Sequence, residues 1–552
     1  GGYSFRNGTG NGFRRYADDP RNWPQIYPLG FLPEFDSDAI DYSAAGGLRG
    51  LVSGWNYDIG ATYGHNHFNY DIRNTLNSTL GPCLAPAAPC APGADGILGN
   101  ADDPGIPNQT EFFSGRLSRN EVIGAVNIAK PVELGLPEEV NLAFGVAVRR
   151  ESYEITPGEL ASYVNGGSPD QFGGQDGAVA GSSVFAGFRP EDASDESRTN
   201  FGVYGDAESN LTSQLLANVA ARFESYSDFG ERLTGKVALR YQPSRRLTFR
   251  AAASTGFRAP GLGQIFFSHI TTNVISDPVT GPTPVQVGNF PVDNPISRLL
   301  GSQPLDEETA FNFSGGLAVT PAENLTITAD YFHITIDDRI LLGATFDDDA
   351  TVQILSDAGF TDIAAVQYFT NGLDTRTQGV DLTANLRLPA GASGTLDVSG
   401  YVNFTHNEIT RVDPLPQVLV DAGSTELGLL EPPTRVAIEE ERPDWRATLQ
   451  GQYTRAQLRG LARVSYFGGF ASAQPGLCDE CREEYGAKTL VDAEVGYQFG
   501  LVNVALGAQN LFDTYPDIAS EQNSFLIFPW AAASPFGYNG RRLYVRTGVT
   551  LP

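Results

Sequence analysis

The sequence predicts an all-β chain that folds as a transmembrane antiparallel β-barrel, and three observations support this prediction. Apolar and polar residues alternate with a period of two in many separate segments, as in strands with one apolar face. These segments are about nine to thirteen residues long, which suits a tilted span of a bilayer. The connections between them alternate between short and long. Gly and Pro supply 62 and 35 of the 552 residues, so long helices are not expected.

Two neighbouring segments show the alternation most clearly. Between 395 and 405, Leu396, Val398, Val402 and Phe404 alternate with polar residues, and the segment 380–388 has the same pattern. The pattern recurs in eight further segments: Val237–Tyr241, Leu247–Ala253, Phe311–Val319, Ala447–Tyr453, Leu458–Tyr466, Val491–Phe499, Val502–Ala508 and Leu543–Leu551. One face of each predicted strand is therefore apolar, while the other carries Arg, Asp, Asn, Thr and Gly.

The lengths of the connections indicate a membrane barrel in preference to a soluble sandwich. Short turns are predicted at Ser53–Gly54, Thr212–Ser213, Gln242–Arg246, Thr320–Asn324, Leu388–Gly394, Thr454–Gln457 and Phe499–Leu501. Long loops are predicted at 68–111, 155–198, 257–307, 339–375, 408–441, 469–486 and 513–538. Short periplasmic turns and long extracellular loops are typical of outer-membrane barrels, and a soluble sandwich has no need of this asymmetry. Aromatic residues at strand ends, such as Trp55, Tyr241 and Tyr497, fit interfacial girdles.

The strand count also suggests how the chain begins. From residue 44 onward the pattern gives about seventeen strands, whereas single-chain bacterial barrels close with an even number. An odd number of strands must therefore precede residue 44, and Gly1–Arg6 could be the end of one. The prediction for this chain is about 17–18 strands.

Composition and motifs exclude several functional classes. The chain has 65 acidic and 37 basic residues and a formal net charge of −28, whereas nucleic-acid binding needs a basic surface. The sequence offers no metalloprotease, phosphate-loop or catalytic-triad pattern, and only five histidines. We therefore do not expect an enzyme.

Four cysteines form two local pairs in loop-like stretches. Cys83 with Cys90, and Cys478 with Cys481, predict two small disulfides in an oxidising compartment. The second pair is also a Cys-x-x-Cys motif, which could bind a metal or do redox chemistry. A structural zinc site needs about four ligands, and no further His or Cys lies near this pair, so disulfides are favoured.

Two other features could hold metal ions. His65 and His67 point the same way on a predicted strand, but the alternation set by Trp55 to Tyr63 places them on the lipid or rim face, so no metal site is expected there. Acidic clusters occur at Asp102–Asp103, Asp347–Asp349 and Glu439–Glu441. The segment Asp95–Asp103 could bind Ca²⁺ through carboxylates, although a solvated acidic surface explains the clusters better. We expect no cofactor.

Several short motifs, in a fixed order along the chain, point to a known family. They are Ser254–Pro260 (STGFRAP), Leu305–Thr309, Thr377–Leu382, Asn510–Asp513 (NLFD) followed by Tyr515-Pro516, and Gly540–Val545. The segment Ala147–Gly167, which contains Arg150-Glu-Ser-Tyr153, also contributes. With these motifs the chain resembles the barrel domain of TonB-dependent receptors of Gram-negative outer membranes.

The resemblance implies a 22-stranded barrel with a plugged lumen in the bacterial outer membrane. It implies that residues 1–552 are the C-terminal major part of the barrel, and that a plug domain and the first strands precede them. The family usually ends on an aromatic residue, so we expect one residue after Pro552. The implied function is TonB-dependent import of a scarce ligand: a ferric siderophore, another metal chelate or an oligosaccharide. A passive pore and a structural or adhesive surface barrel are the alternatives.

The implied partners and ligand contacts follow from this resemblance and from the strand pattern. The implied partners are the TonB complex, which would be reached through the plug, together with outer-membrane lipid and lipopolysaccharide. Whether a surface lipoprotein is also a partner stays open. Eight arginines face the lumen by the alternation: Arg240, Arg250, Arg258, Arg387, Arg446, Arg459, Arg463 and Arg546. Most would pair with inward carboxylates such as Asp381, Asp397, Asp492 and Glu494, but Arg258 lies at the extracellular end and is the better ligand contact. Loop aromatics could stack on a ligand or pack loop against loop: Phe266, Phe267, Tyr368, Phe369, Phe470, Trp530, Phe536 and Tyr538.

Overall fold

The computed structural model describes residues 1–552 except 88–104, 174–178, 278–280, 361–362, 392, 426–427, 474–481, 525–527 and 550–552. Its main feature is one sheet of 18 strands. These strands are β1 Gly2–Asn11, β2 Glu34–Val52, β3 Trp55–Arg73, β4 Glu111–Val132, β5 Val140–Thr156, β6 Ser194–Asn210, β7 Leu215–Tyr226, β8 Gly230–Ser244, β9 Leu247–Arg258, β12 Glu308–Ala322, β13 Leu325–Leu342, β15 Phe369–Pro389, β16 Gly394–Val412, β17 Trp445–Arg455, β18 Leu458–Phe467, β21 Lys488–Phe499, β22 Val502–Gln509 and β23 Arg542–Val549.

The main sheet is an antiparallel meander that forms the wall of a barrel. Each of its strands pairs with the next one along the chain, from β1–β2 to β22–β23. This confirms the predicted antiparallel sheet and the predicted strand number. The seventeen strands from β2 onward match the count from residue 44, and β1 is the expected strand before them.

The remaining elements are short and lie in the long connections. The strands are β10 His269–Asp277, β11 Gly281–Asn289, β14 Ala365–Gln367, β19 Phe470–Ser472 and β20 Glu483–Tyr485. The helices are α1 Leu160–Tyr163, α2 Leu262–Phe266, α3 Pro295–Leu299, α4 Asp349–Asp357, α5 Gln417–Asp421, α6 Pro432–Glu439 and α7 Glu521–Ser524, with 3₁₀ turns at Ser78–Leu80 and Pro190–Asp192. Within the described ranges, no helix has the length and apolar character needed to cross a membrane.

The two faces of the sheet differ as the alternation predicted. On β8 the side chains of Val237, Leu239 and Tyr241 are exposed, and they alternate with Lys236 and Arg240, which lie on the opposite face. Exposed apolar side chains in regular alternation are unfavourable in water and suit a lipid environment. The apolar face is therefore the outer face of the barrel, and the polar face lines its lumen.

Short and long connections lie at opposite ends of the barrel. At the short-turn end, Ser53 and Gly54 join β2 to β3 with φ values of 49° and 80°, which is the left-handed pair that a two-residue hairpin turn requires. The other end carries the long connections, apart from the short link 227–229 between β7 and β8. This end is called the loop-bearing end below.

Several strands are longer than the sequence predicted. β4 has 22 residues and β15 has 21, so the predicted loops were too wide: the loop expected at 339–375 begins after Leu342 and ends before Phe369. The alternation is lost in these extensions because loops cover the strands beyond the apolar band. Backbone pairing continues in these extensions, but the sequence there has no alternating apolar residues from which a strand could be predicted.

Candidate functional site

Small cores of buried residues hold the long connections together at the loop-bearing end, and three of them contain or contact predicted ligand residues. The first loop core contains Tyr153, Ile155, Phe188 and Leu262. The second contains Phe290, Ile296, Leu300, Phe346, Leu355, Val366, Tyr368, Leu419 and Leu429. The third contains Phe470, Tyr485, Ala519 and Ala531. Burial of apolar surface in these cores fixes the loops relative to the strands.

Arg258 lies at the loop-bearing end of β9, as the sequence predicted. Its partner across the sheet is Glu308, whose carboxylate is buried and lies 3.6 Å from the guanidinium. Arg258 also donates to the side-chain oxygen of Gln264 at 3.1 Å. The arginine side chain nevertheless stays 60% exposed, so a positive charge is presented on the lumen side of the mouth.

Phe266 and Phe267 lie against the first loop core. Both rings are partly buried and pack on that core, and the Phe267 ring is 6.1 Å from the Phe188 ring. The sequence left open whether these aromatics bind a ligand or pack the loops. In this structure they pack, while part of each side chain stays accessible.

Tyr368 and Phe470 are buried in loop cores. The Tyr368 side chain is 2% exposed, and its hydroxyl donates to the backbone oxygen of Leu300 at 3.1 Å. The Phe470 ring stacks on Tyr485 with centroids 5.0 Å apart. Neither ring is presented to a ligand, because each is needed to fill a core. Phe369, the first residue of β15, is partly exposed.

The connection between β22 and β23 carries a group of aromatic rings, here called the aromatic stack: Tyr515, Phe528, Trp530 and Tyr538. The Trp530 ring is nearly parallel to those of Tyr515 and Tyr538, with interplanar angles of 14° and 8°. Phe528 meets Tyr538 edge to face at 4.5 Å. Phe536 lies apart from the stack, 5.5 Å from Phe467. Flat, partly exposed rings of this kind suit stacking on a sugar or an aromatic chelate.

The inner wall is lined by ion pairs, two of which join directly paired strands and two of which, Arg250–Asp330 and Arg546–Glu494, reach across an intervening strand. Arg250 pairs with Asp330, Arg387 with Asp397, Arg463 with Asp492 and Arg546 with Glu494. These contacts agree with the predicted pairing of inward arginines with Asp397, Asp492 and Glu494. Asp381 instead accepts hydrogen bonds from Tyr401 and Asn403.

One buried charge network was not anticipated from the sequence. The carboxylate of Glu151 on β5 is 1% exposed and accepts hydrogen bonds from Arg119, Arg149 and Arg198 at 3.3, 3.1 and 2.7 Å. Arg198 also donates to the backbone oxygen of Pro260 at 2.7 Å. The network therefore ties the end of the Ser254–Pro260 motif to the Arg150–Tyr153 motif. The alternation places Arg149 and Glu151 on the inner face, but their partners are distant in sequence.

Two of the three acidic clusters, Asp347–Asp349 and Glu439–Glu441, lie in the described residues and make contacts within the protein. Asp348 accepts from the Thr351 backbone at 2.9 Å, where it caps α4, and from the Ser424 hydroxyl at 2.6 Å. Glu440 is bound by Arg482 at 2.9 Å, and this hydrogen bond lowers the pKa of Glu440. Glu439 accepts from the Ile409 backbone. The carboxylates of these two clusters therefore bind backbone and side-chain donors of neighbouring loops.

Most residues of the predicted Ca²⁺ segment and of the two predicted disulfides lie outside the described residues. The segment Asp95–Asp103 lies there, so the possibility of Ca²⁺ stays a prediction. In the part of the chain that is described, no group of three or more His, Cys, Asp or Glu side chains could hold a metal ion. Cys83 is not a free thiol, but Cys90, Cys478 and Cys481 lie outside the described ranges, so both disulfide pairings stay predictions.

Comparisons with solved structures identify the fold. A mutant of the ferric enterobactin receptor PfeA from Pseudomonas aeruginosa is similar with a TM-score of 0.59 at 14% identity, over 94% of this chain and 66% of that one. The siderophore receptor PirA from Acinetobacter baumannii gives 0.54 at 14% identity, over 94% and 62%. The FrpB iron transporter from Neisseria meningitidis gives 0.54 at 12%, over 99% and 68%. The chain thus spans just under two thirds of the first of these receptors.

The family comparison agrees with the fold. A search among curated proteins finds no significant match. The family model described as "TonB dependent receptor-like, beta-barrel" matches residues 1–511, and this family and the similar structures are receptors and transporters, not enzymes. Together with the 18-stranded sheet, the match confirms the predicted location in the bacterial outer membrane. The chain belongs to the β-barrel family of TonB-dependent receptors.

Proposed function

We propose that the chain forms the barrel wall of an active importer that takes up a scarce ligand across the outer membrane at the expense of TonB-transmitted energy. Arg258 carries the proposal. Its guanidinium stays 60% exposed on the lumen side of the mouth, although a buried carboxylate lies beside it. In a protein of net charge −28, a cation in this position attracts anionic ligands locally. An anionic metal chelate such as a ferric siderophore is therefore favoured over a neutral oligosaccharide.

The remaining ligand contacts are proposed from the same end of the barrel. Trp530 and Tyr538 in the aromatic stack offer flat faces to an aromatic chelate or a sugar, and Phe536 and Phe369 are partly exposed. Phe266 and Phe267 contribute the accessible part of their rings. Tyr368 and Phe470 are left out of this ligand surface because they are buried in loop cores.

The proposed partners follow from the family. TonB would act through a plug domain inside the barrel, and the apolar outer face would contact lipid and lipopolysaccharide. An intact mass of the protein purified from outer membranes tests the first point. A mass larger than that of 552 residues by a plug-sized domain and several strands is expected, and a mass equal to that of the 552 residues would contradict it.

Uptake measurements test the import proposal. A strain that lacks the protein is complemented with the full-length gene and given radiolabelled ferric chelates under iron limitation. Uptake is expected only from the complemented strain, and a protonophore or loss of TonB should abolish it. Arg258→Ala should raise the concentration for half-maximal uptake about tenfold or more, since a hydrogen bond to a charged ligand contributes roughly 1.5–3 kcal/mol. Arg387→Ala, which changes an inward arginine at the short-turn end, is the matched control.

The alternatives predict different results. A passive pore would show uptake that neither a protonophore nor loss of TonB affects, and it would admit unrelated small solutes. A structural or adhesive barrel would show no ligand uptake at all. Either result would overturn the import proposal, and an equal effect of Arg258→Ala and Arg387→Ala would overturn the role of Arg258.

A further inference from the structure

Two histidines form a close pair on the outer face of the barrel. His65 and His67 both lie on β3, on the same face as Ile59, which is exposed and pairs across the sheet with exposed Leu48 and Val126. The ring atoms His65 Nε2 and His67 Nδ1 are 2.9 Å apart. Both side chains are half-buried, so the pair is ordered but reachable.

A hydrogen-bonded neighbour fixes the orientation of His65. Its Nδ1 lies 2.7 Å from the side-chain oxygen of Asn120, which also accepts from the Tyr63 hydroxyl at 3.1 Å. The amide nitrogen of Asn120 in turn donates to Ser152 at 3.2 Å. Because an amide oxygen only accepts, His65 carries its proton on Nδ1, and the lone pair on Nε2 points at His67. The ring of Tyr42 stacks on His65 at 4.6 Å.

The pair lies at the outer boundary of the membrane rather than within it. Trp55 begins β3 at the short-turn end, under the Lys130 ammonium, and His65 is ten residues further along. A strand that rises about 3.3 Å per residue and is tilted by about 40° climbs roughly 25 Å over ten residues. That height equals the apolar band of such barrels, so water and dissolved ions reach the pair.

We propose that His65 and His67 form a binding site for a divalent transition-metal ion, preferably Cu²⁺, on the outer wall of the barrel. Two nitrogens each about 2.0 Å from a metal lie about 2.8 Å apart at a right angle and about 3.3 Å apart at the tetrahedral angle. The observed 2.9 Å fits adjacent corners of a tetragonal site, which suits Cu²⁺ or Ni²⁺. Water molecules complete the coordination. The proton on Nδ1 of His67 moves to its Nε2, so the ring binds as the neutral tautomer.

The surrounding groups match those of known metal-binding histidines. A histidine ligand commonly donates its second ring N–H to an oxygen acceptor, which fixes the tautomer, and Asn120 is placed to accept in this way. The sequence argued against a metal role because the alternation put the pair on the lipid or rim face. The proposal departs from this expectation because the pair lies above the apolar band and its two facing ring nitrogens are 2.9 Å apart.

Metal titration of the purified protein tests the site. Full-length protein without a histidine tag, in detergent micelles, is titrated with CuCl₂, NiCl₂ and ZnCl₂ by calorimetry, and the Cu²⁺ form is examined by electron paramagnetic resonance. One Cu²⁺ site with coupling to two nitrogens is expected, with Cu²⁺ bound more tightly than Zn²⁺. An uptake assay is not needed, so the result is independent of the proposed import function.

Three variants and one control make the test decisive. His65→Gln and His67→Gln should each remove the two-nitrogen signal, and Asn120→Leu should weaken Cu²⁺ binding by about 10–100-fold while both nitrogens are retained. His333→Gln, which removes a histidine from the outer face of β13, should change nothing. Heat-modifiable migration on gels shows that each variant is folded. A wild-type signal without two nitrogens, or one that survives in folded His65→Gln, would overturn the proposal.

Discussion

The two connections that bury the side chain of His269, residues 157–193 and 259–307, should open as the pH falls. His269, at the start of β10, is 1% exposed, and neither ring nitrogen has a hydrogen-bond partner. Its ring packs against Phe185 and Phe188 with centroids 4.6 Å away from each. Burial, and to a smaller extent the charge of Arg189, lowers the pKa of His269 to about 3. The closed loops therefore hold this histidine in its neutral form.

Proton linkage gives the sign and the size of the pH effect on loop opening. In the opened loop the histidine is solvated and has a pKa near 6.5, so the open form binds more protons below that value. The closed form is fully favoured above about pH 6.5 and loses stability as the pH falls toward 3. At pH 5 the loss is about 2 kcal/mol, which corresponds to a roughly 30-fold larger open population. The pKa of Asp192, raised by burial, acts in the opposite direction.

Hydrogen exchange measures the opening of these loops. Amide exchange of residues 186–192 and 262–270 is followed at pH 5 and pH 7 and normalised to the exchange rate of an unstructured chain. His269→Leu should lower the ratio of normalised exchange at pH 5 to that at pH 7 by roughly 30-fold relative to the wild-type protein, because it keeps an apolar side chain but removes the titrating ring. Asp192 is retained in this variant, so the difference isolates His269. A variant whose ratio of exchange at pH 5 to that at pH 7 equals the wild-type ratio would refute the reasoning.

Three further predictions concern stability at the loop-bearing end. Tyr368→Phe leaves the Leu300 carbonyl without its donor and should cost the second loop core about 1–3 kcal/mol, seen as faster proteolysis of the loops with unchanged barrel migration on gels; equal proteolysis would contradict it. Phe346→Ala empties a fully buried position and should cost about 3–5 kcal/mol by the same assay. Glu151→Gln removes the buried carboxylate shared by Arg119, Arg149 and Arg198, while Arg198 keeps Asp228 at 3.3 Å, and should cost roughly 3 kcal/mol, lowering the temperature at which the barrel unfolds on gels. Glu121→Gln, whose contact with Arg149 is exposed and 3.6 Å long, is the control and should show no comparable shift.

The candidate site could be predicted only in part. The position of Arg258 could be predicted from the sequence. The alternation places its side chain on the lumen face, and its location at the end of a strand places it at the mouth of the barrel. The roles of the loop aromatics could not be predicted from the sequence, since Tyr368 and Trp530 are both aromatic residues in long predicted loops. Tyr368 fills a core built from three connections, whereas Trp530 lies in a stack within one connection. Side-chain burial in a loop depends on which other loops meet it.

The sequence by itself determined the strands, their order, their two faces and the family. Period-two patterning is a local property, and a meander pairs each strand with its neighbour, so local information suffices for the wall of the barrel. Tertiary structure alone decided the contacts between distant segments. The placement of His269 among phenylalanines and the bond from Arg198 to Pro260 depend on which connections meet. The bond from Arg198 to Glu151 and the convergence of His65, His67 and Asn120 depend on the register between strands. Register sets which side chains meet, and no single strand encodes it.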